Sequence, residues 1–268
     1  MVGESSKRRP RETRAPKYPD AERAEIVTSY VSIVDELTNL LADVVARRLR
    51  NRIQQADRER DAKATTLRAD GIGEDIERAF DEYDERAANI LRERARAAAR
   101  RAALGVSRAN GREVTRVLDA LGARIVQDPA TIQDLIGVFV SNNESLLRDV
   151  SSTMRAEVAG AVGRGMQSGT RWEGIAQEIA ERAGVARSRA ELIARDQAGK
   201  VFSALTRARS QAAGIGRYEW VTSHDERVRV EHRVLDGRIF SWDDPPDVGN
   251  PGEPINCRCV AAPVFDDD

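Results

Sequence analysis

Aromatic side chains make up only 4% of the 268 residues, and the chain holds just two cysteines and two histidines. So few aromatics argue against a compact, aromatic-rich enzyme core and for helices joined along thin apolar stripes. The cysteines, Cys257 and Cys259, stand one residue apart. They form no disulfide framework, since a bridge between such near neighbours is strained, and they fit synthesis in a reducing cytoplasm. No apolar run approaches the roughly 20 residues of a membrane span, and the start lacks the apolar core of a signal peptide. No glycine loop is built to cradle phosphate, because Gly214-Ile215-Gly216 is too sparse and precedes a strand. A net charge of -1 gives no global pull towards nucleic acid. No repeat of fixed period is present.

What the chain does have is charge and helical period, with 32% charged and 41% hydrophobic residues. Residues 1–19 carry Lys7, Arg8, Arg9, Arg11, Arg14 and Lys17 among three prolines, and read as a basic disordered arm. Such an arm touches DNA phosphates or an acidic protein surface, or is simply a solvated tail. From Asp20 the pattern is helical: Tyr30, Ile33, Leu37, Leu40 and Val44 recur at three and four, and the helix runs on towards Gly71 and Gly73. Unbroken, it reaches on the order of 70 Å. Ile76, Phe80, Tyr83, Ala87 and Ile90 mark a second helix, interrupted at Gly105, and Val114, Val117, Leu118, Leu121 and Ile125 a third. Asp128-Pro129 opens a fourth, with proline at its tolerated first position. Thr170 with Glu173, and Ser188 with Glu191, read as capping boxes starting two more helices. The stripes pack either on one another or on a partner chain.

The composition breaks near Gly214 and Gly216, and the last fifty residues hold both cysteines, both histidines, two of the three tryptophans and a run of prolines. Residues 217–222 alternate polar and bulky and read as a strand. Ser223 with Glu226, and Gly237, suggest the start and stop of a helix whose one face carries Asp225, Arg229, His232 and Asp236. The rival is a strand, favoured by Val228, Val230 and Val234. Residues 238–242 and 257–264 read as two more strands, joined by a proline-rich loop laid against the module. The fold class expected is mainly α: long N-terminal helices followed by a small C-terminal α+β module.

Trp220, the run Asp225-Glu226-Arg227-Val228-Arg229, His232, Leu235-Asp236-Gly237, Pro245-Pro246 and Asn256-Cys257-Arg258-Cys259 together resemble the C-terminal domain of the phage Mu F-like minor head proteins. Ala190 to Gln197 resembles the helix leading into it, and the match covers roughly residues 170 to 265. The resemblance implies a division into a basic arm (1–19), a helical docking region (20–165) and a Mu F-like domain (166–268). It implies a structural protein of phage head morphogenesis, not an enzyme. Its expected place is the virion, in the head interior or at the portal vertex, with a part in DNA ejection. The partners implied are the portal protein, the major capsid protein and packaged double-stranded DNA.

His232, Cys257 and Cys259 are zinc-compatible ligands, and His224 is a candidate fourth. Further Cys or His in some members of the family imply a structural metal, but here Arg229 stands where a first ligand is expected. In the competing reading the cysteines are small core residues and His232 bonds Asp236 or Asp225. The Asp225, Glu226, Arg229, Glu231 and His232 cluster also admits a small metal-dependent hydrolase or toxin-like module on a helical carrier.

Overall fold

The computed structural model describes residues 15–61, 72–123 and 129–264. Five long helical segments come first: α1 (Asp20–Asp61), α2 (Ile72–Ile90), α3 (Arg96–Ala120), α4 (Pro129–Ser168) and α5 (Trp172–Ala212). A single π-helical turn, Leu91–Ala95, joins α2 to α3. A small module follows, made of β1 (Arg217–Val221), the one-turn α6 (Val230–Arg233), β2 (Ile239–Ser241) and β3 (Val260–Val264). The fold is mainly α with a C-terminal α+β module, as its periodicity and composition indicate. No described helix is long and apolar enough to cross a membrane. Of the basic arm's cations only Lys17 is described, its backbone N–H donating to Glu113 at 3.2 Å, whereas Lys7, Arg8, Arg9, Arg11 and Arg14 lie outside the described residues.

Two expected breaks in the helices, at Gly105 and Ser188, are absent. Gly105 does not interrupt α3, since a lone interior glycine costs only about 1 kcal/mol against alanine and its neighbours Ala103 and Val106 are fully buried. Ser188 starts nothing: α5 runs straight through it, and its hydroxyl donates back to the Gly184 carbonyl at 3.0 Å. The start expected at Thr170 is present, since α4 ends at Ser168 and α5 begins at Trp172, but Thr170 does not cap it. Its hydroxyl is shared with Ser168 at 2.8 Å, and the first carbonyl to accept in α5 is that of Arg171. Gly169, at φ 69°, makes the turn between α4 and α5.

By contacts the chain gathers into two compact units, each drawn from separated stretches. The division by sequence into 20–165 and 166–268 does not coincide with them. One unit comprises residues 27–99 and 141–193. Its interior is aliphatic: Ile33, Leu37, Leu41 and Leu49 of α1 meet burial below 3% exposure, as do Leu147 and Val162 of α4. Two phenols anchor it, Tyr30 donating to Asn143 Oδ1 at 2.7 Å and Tyr83 lying 2.7 Å from Ser151 Oγ. Burial raises both phenols, Tyr83 to about 12. The stripes Tyr30 to Val45 and Phe80 to Ala87 are thus consumed by the chain's own interior, with Ile76 and Ile90 half-buried. They are not faces left open for a partner.

The other unit draws on residues within 1–26, 100–140 and 194–268. Asn110 of α3 donates to the Phe202 carbonyl at 3.2 Å and to Thr206 Oγ1 at 2.7 Å on α5, and Val114 and Leu118 pack on Ile215. The sheet is antiparallel in the order β2-β1-β3, with Tyr218 opposite Phe240 on one side and Pro263 on the other. Proline is tolerated there because β3 is an edge strand, with no neighbour demanding its N–H. Tyr218, Trp220, Trp242, Leu235, Cys257, Cys259 and Ala261 form the module's own core. The scarce aromatics are therefore concentrated where the module is too small to be held by aliphatics alone.

The stretch between β1 and β2 is neither the long helix nor the strand that its residues suggest. Its helix is α6 alone, preceded by Arg229 in extended conformation, and Ser223 caps nothing. Gly237, at φ 76°, does close it. The four polar residues assigned to one helix face consequently point to different partners. Asp225 pairs with Arg258, Arg229 donates to the Ile255 carbonyl at 2.6 Å, and Asp236 accepts from Thr222 N–H at 2.9 Å. His232 turns inward.

Candidate functional site: a buried histidine–cysteine cluster and its cavity

α6 places His232 at 2% exposure, its ring edge-on to Trp220 with centroids 5.3 Å apart. The segment entering β3 brings Cys257 and Cys259 to the same point, both buried. His232 Nδ1 lies 3.7 Å from Cys257 Sγ and 3.6 Å from Cys259 Sγ. The three potential ligand atoms all fall within 4.8 Å of one another. The cysteine segment is fixed from behind by α5. Asn256 adopts a left-handed φ of 56°, which asparagine tolerates, and its N–H donates to Asp196 Oδ1 at 3.0 Å. Asp196 is in turn held by Lys200 at 2.7 Å. Gly199 completes the fit, for a Cβ there would stand 2.9 Å from Tyr18 Oη and 3.2 Å from the Cys257 carbonyl oxygen.

The two thiols share their chemistry. The hydrogen bond with Cys259 lowers the Cys257 thiol, helped by the Gly252 N–H at 3.4 Å, and raises that of Cys259, which burial pushes up further. The pair thus loses its first proton at Cys257 and resists losing a second. His232 Nε2 is buried without a hydrogen-bond partner, with the Glu231 carboxylate 3.9 Å away.

This donor set fits zinc at three positions. Tetrahedral zinc, with bonds of about 2.3 Å to sulfur and 2.05 Å to nitrogen, needs sulfur and nitrogen about 3.6 Å apart. Both distances to Nδ1 meet that. His224 is not part of the cluster: its side chain is 60% exposed, and Nδ1 lies 3.2 Å from Thr222 Oγ1 and 3.8 Å from Asp236. Neither Asp236 nor Asp225 bonds His232 in its place.

A cavity of about 560 Å³ opens beside the cluster. Twelve residues line it, among them Tyr18, Ser223, Asn256, His232 and both cysteines, together with Arg23, Arg195, Arg227, Arg229 and Arg258. The proline-rich loop lies behind, with Asn250, Pro251 and Gly252 buried and Ser203 Oγ donating to the Pro251 carbonyl. Asp196, Gly199 and Arg195 were not singled out by sequence reasoning as site residues. Asp196 and Arg195 do lie in the stretch Ala190 to Gln197 that carries part of the family resemblance.

Comparison with known proteins bears on the same region. Residues 156–262 match the family described as Phage Mu protein F like protein. An uncharacterized protein of Haemophilus influenzae is 36% identical over 144 residues, 53% of this chain and 32% of that one. An uncharacterized protein of Methanocaldococcus jannaschii is 32% identical over 135 residues, 50% of this chain and 21% of its own length. Minor head protein GP7 of Bacillus phage SPP1 is 24% identical over 158 residues, covering 53% of this chain and 49% of the phage protein. The chain spans less than half the length of each of these relatives. No solved structure matches. The matched residues 156–262 contain the cluster and most of its supports.

Proposed function

We propose that this chain is a minor head protein of a tailed phage, a structural component in head morphogenesis and not an enzyme. The observation that carries the reading is the family match over residues 156–262, joined by similarity to a minor head protein. Its place would be the virion, at the portal vertex or in the head interior, with the portal protein as its principal partner. The major capsid protein and packaged double-stranded DNA are further partners in this reading, and a role in ejection follows from contact with that DNA. Docking would use faces other than the long apolar stripes, which are already buried. Val230, Val234 and Ile239 of the module are exposed by 76%, 63% and 51%, and offer apolar contacts to a neighbour.

In the same reading His232, Cys257 and Cys259 hold a structural zinc. Bound there, the metal would tie α6 to the entry of β3 and replace the proton shared by the thiols. A second reading, a small metal-dependent hydrolase, draws on one observation: the cluster lies on a cavity wall. His232→Ala and Cys257→Ser separate the two. Loss of cooperative unfolding favours the structural role, whereas loss of turnover with an intact fold favours the hydrolase.

The main reading is tested on particles purified from cells that express the gene. Mass spectrometry should find the chain in mature heads, and chemical crosslinking should join it to the portal protein. Its absence from particles would overturn the reading.

A further inference from the structure

The cavity beside the cluster has a second wall that the zinc reading leaves unused. Five of its twelve lining residues are arginines, Arg23, Arg195, Arg227, Arg229 and Arg258, and none is an aspartate or glutamate. Elsewhere among the described residues several arginines are matched with carboxylate. Arg47 and Arg48 share Glu82, Arg52 meets Asp75, Arg155 meets Asp84 and Arg164 meets Glu178. At the cavity the matching is incomplete. Arg258 pairs with Asp225 and Arg23 reaches the exposed Asp20 at 3.5 Å, but Arg229 is held by a neutral carbonyl, that of Ile255. A guanidinium positioned by a carbonyl keeps its whole charge. Arg227 adds another from the exposed segment after β1.

Several like charges converging on one concave surface repel one another and focus field into it, and an anion relieves both effects. The guanidinium fork matches phosphate oxygens in pairs, so arginine is the side chain for this task. Ser223, Asn256 and Tyr18 add neutral polar groups to the same lining. At about 560 Å³ the space lies within the range of sites for small organic ligands, and so takes more than one phosphate group. We propose that this cavity binds phosphate groups, supplied either by a free oligophosphate or by a stretch of nucleic-acid backbone. The proposal uses neither the zinc nor the phage-head reading, and it concerns residues quite separate from the N-terminal basic arm.

The experiment is titration of the full chain with inorganic tripolyphosphate by calorimetry, and in parallel with duplex DNA over a salt series. The wild-type chain should bind one of these probes at a single site. The double substitution Arg227→Gln/Arg229→Gln should weaken binding at least tenfold. Arg148→Gln, an exposed arginine paired with Glu144 in the other compact unit, should leave it unchanged. Because Arg229 also props Ile255, Arg227→Gln alone is the second variant, with an intermediate loss at an unchanged melting temperature. If DNA is the source, the slope of log affinity against log salt should fall by about two in the double variant, one for each phosphate contact removed. Binding of tripolyphosphate without DNA binding assigns the site to a free anion. Failure of the wild type to bind either probe, or equal losses in Arg148→Gln, would overturn the proposal.

Discussion

Single residues decide the character of the module. His232 is buried because Trp220 flanks it and two thiols face its Nδ1. If zinc is held there, the purified chain should contain about one equivalent by atomic emission, and Cys259→Ser should remove it while lowering the melting temperature. Wild-type protein prepared without chelator yet free of metal would rule the zinc out. Glu82 makes a different prediction. Hydrogen bonds from Arg47 and Arg48 lower its carboxyl from 4.5 to about 2. A folded-state value depressed in this way contributes stability that is fully present above the ordinary carboxylate range and is lost as pH falls through about 2. The melting temperatures of wild type and Glu82→Gln should therefore differ most near neutral pH and converge as pH approaches 2. A constant difference across that range would show that the carboxylate's charge is not what matters. At this scale the sequence exposed His232, Cys257 and Cys259 plainly, because such residues are rare in it. It concealed Asp196 and Gly199, since an aspartate and a glycine inside an alanine-rich helix carry no local mark of what lies across from them.

At the scale of elements, two helix glycines that look alike in sequence behave oppositely. A Cβ on Gly105 would meet Glu22 Cγ at 3.8 Å, an ordinary contact. Gly105→Ala should stabilise the protein by up to about 1 kcal/mol through helix propensity. A Cβ on Gly199 would stand 2.9 Å from Tyr18 Oη and 3.2 Å from a backbone oxygen that cannot move aside cheaply. Gly199→Ala should destabilise by about 1–3 kcal/mol, as overpacking does. Thermal or urea unfolding of both variants checks the pair, and the same sign for both would contradict the packing described. The loop between β2 and β3 is pinned by Ser203 on the Pro251 carbonyl and by Asn250, whose N–H donates to Glu253 at 2.7 Å. Limited proteolysis should spare residues 243–255 in the folded chain despite their four prolines and lack of regular structure.

The whole molecule does not divide where its sequence changes character. The unit holding the sheet also draws on α3 and on the segment before α1. Val114 and Leu118 cover Ile215, Asn110 bonds α5, and Tyr18 packs on Phe202 with ring centroids 6.1 Å apart. A fragment beginning at residue 168 loses all of these. It should show no cooperative unfolding transition, although it contains most of the stretch that matches the family. A fragment melting as sharply as the full chain would show that those contacts are dispensable.

Periodicity alone determined that this chain is helical, which apolar residues line its interior, and that a small mixed module follows the composition break near Gly214. These follow from spacing and local propensity, which a one-dimensional reading contains. The family resemblance likewise rested on a few residue types at fixed separations. Only the tertiary structure decided that Gly105 and Ser188 mark no helix boundary. A cap or breaker is worth about 1 kcal/mol, less than the burial of the helix faces on either side. It also decided where Asp225, Arg229, His232 and Asp236 point. Their spacing of three and four suits a helical face, but α6 is a single turn, and partners distant in sequence claim each of them. The arginine-lined cavity belongs to the same class of fact. Its charges come from stretches as far apart as Arg23 and Arg258, and only folding brings them onto one surface.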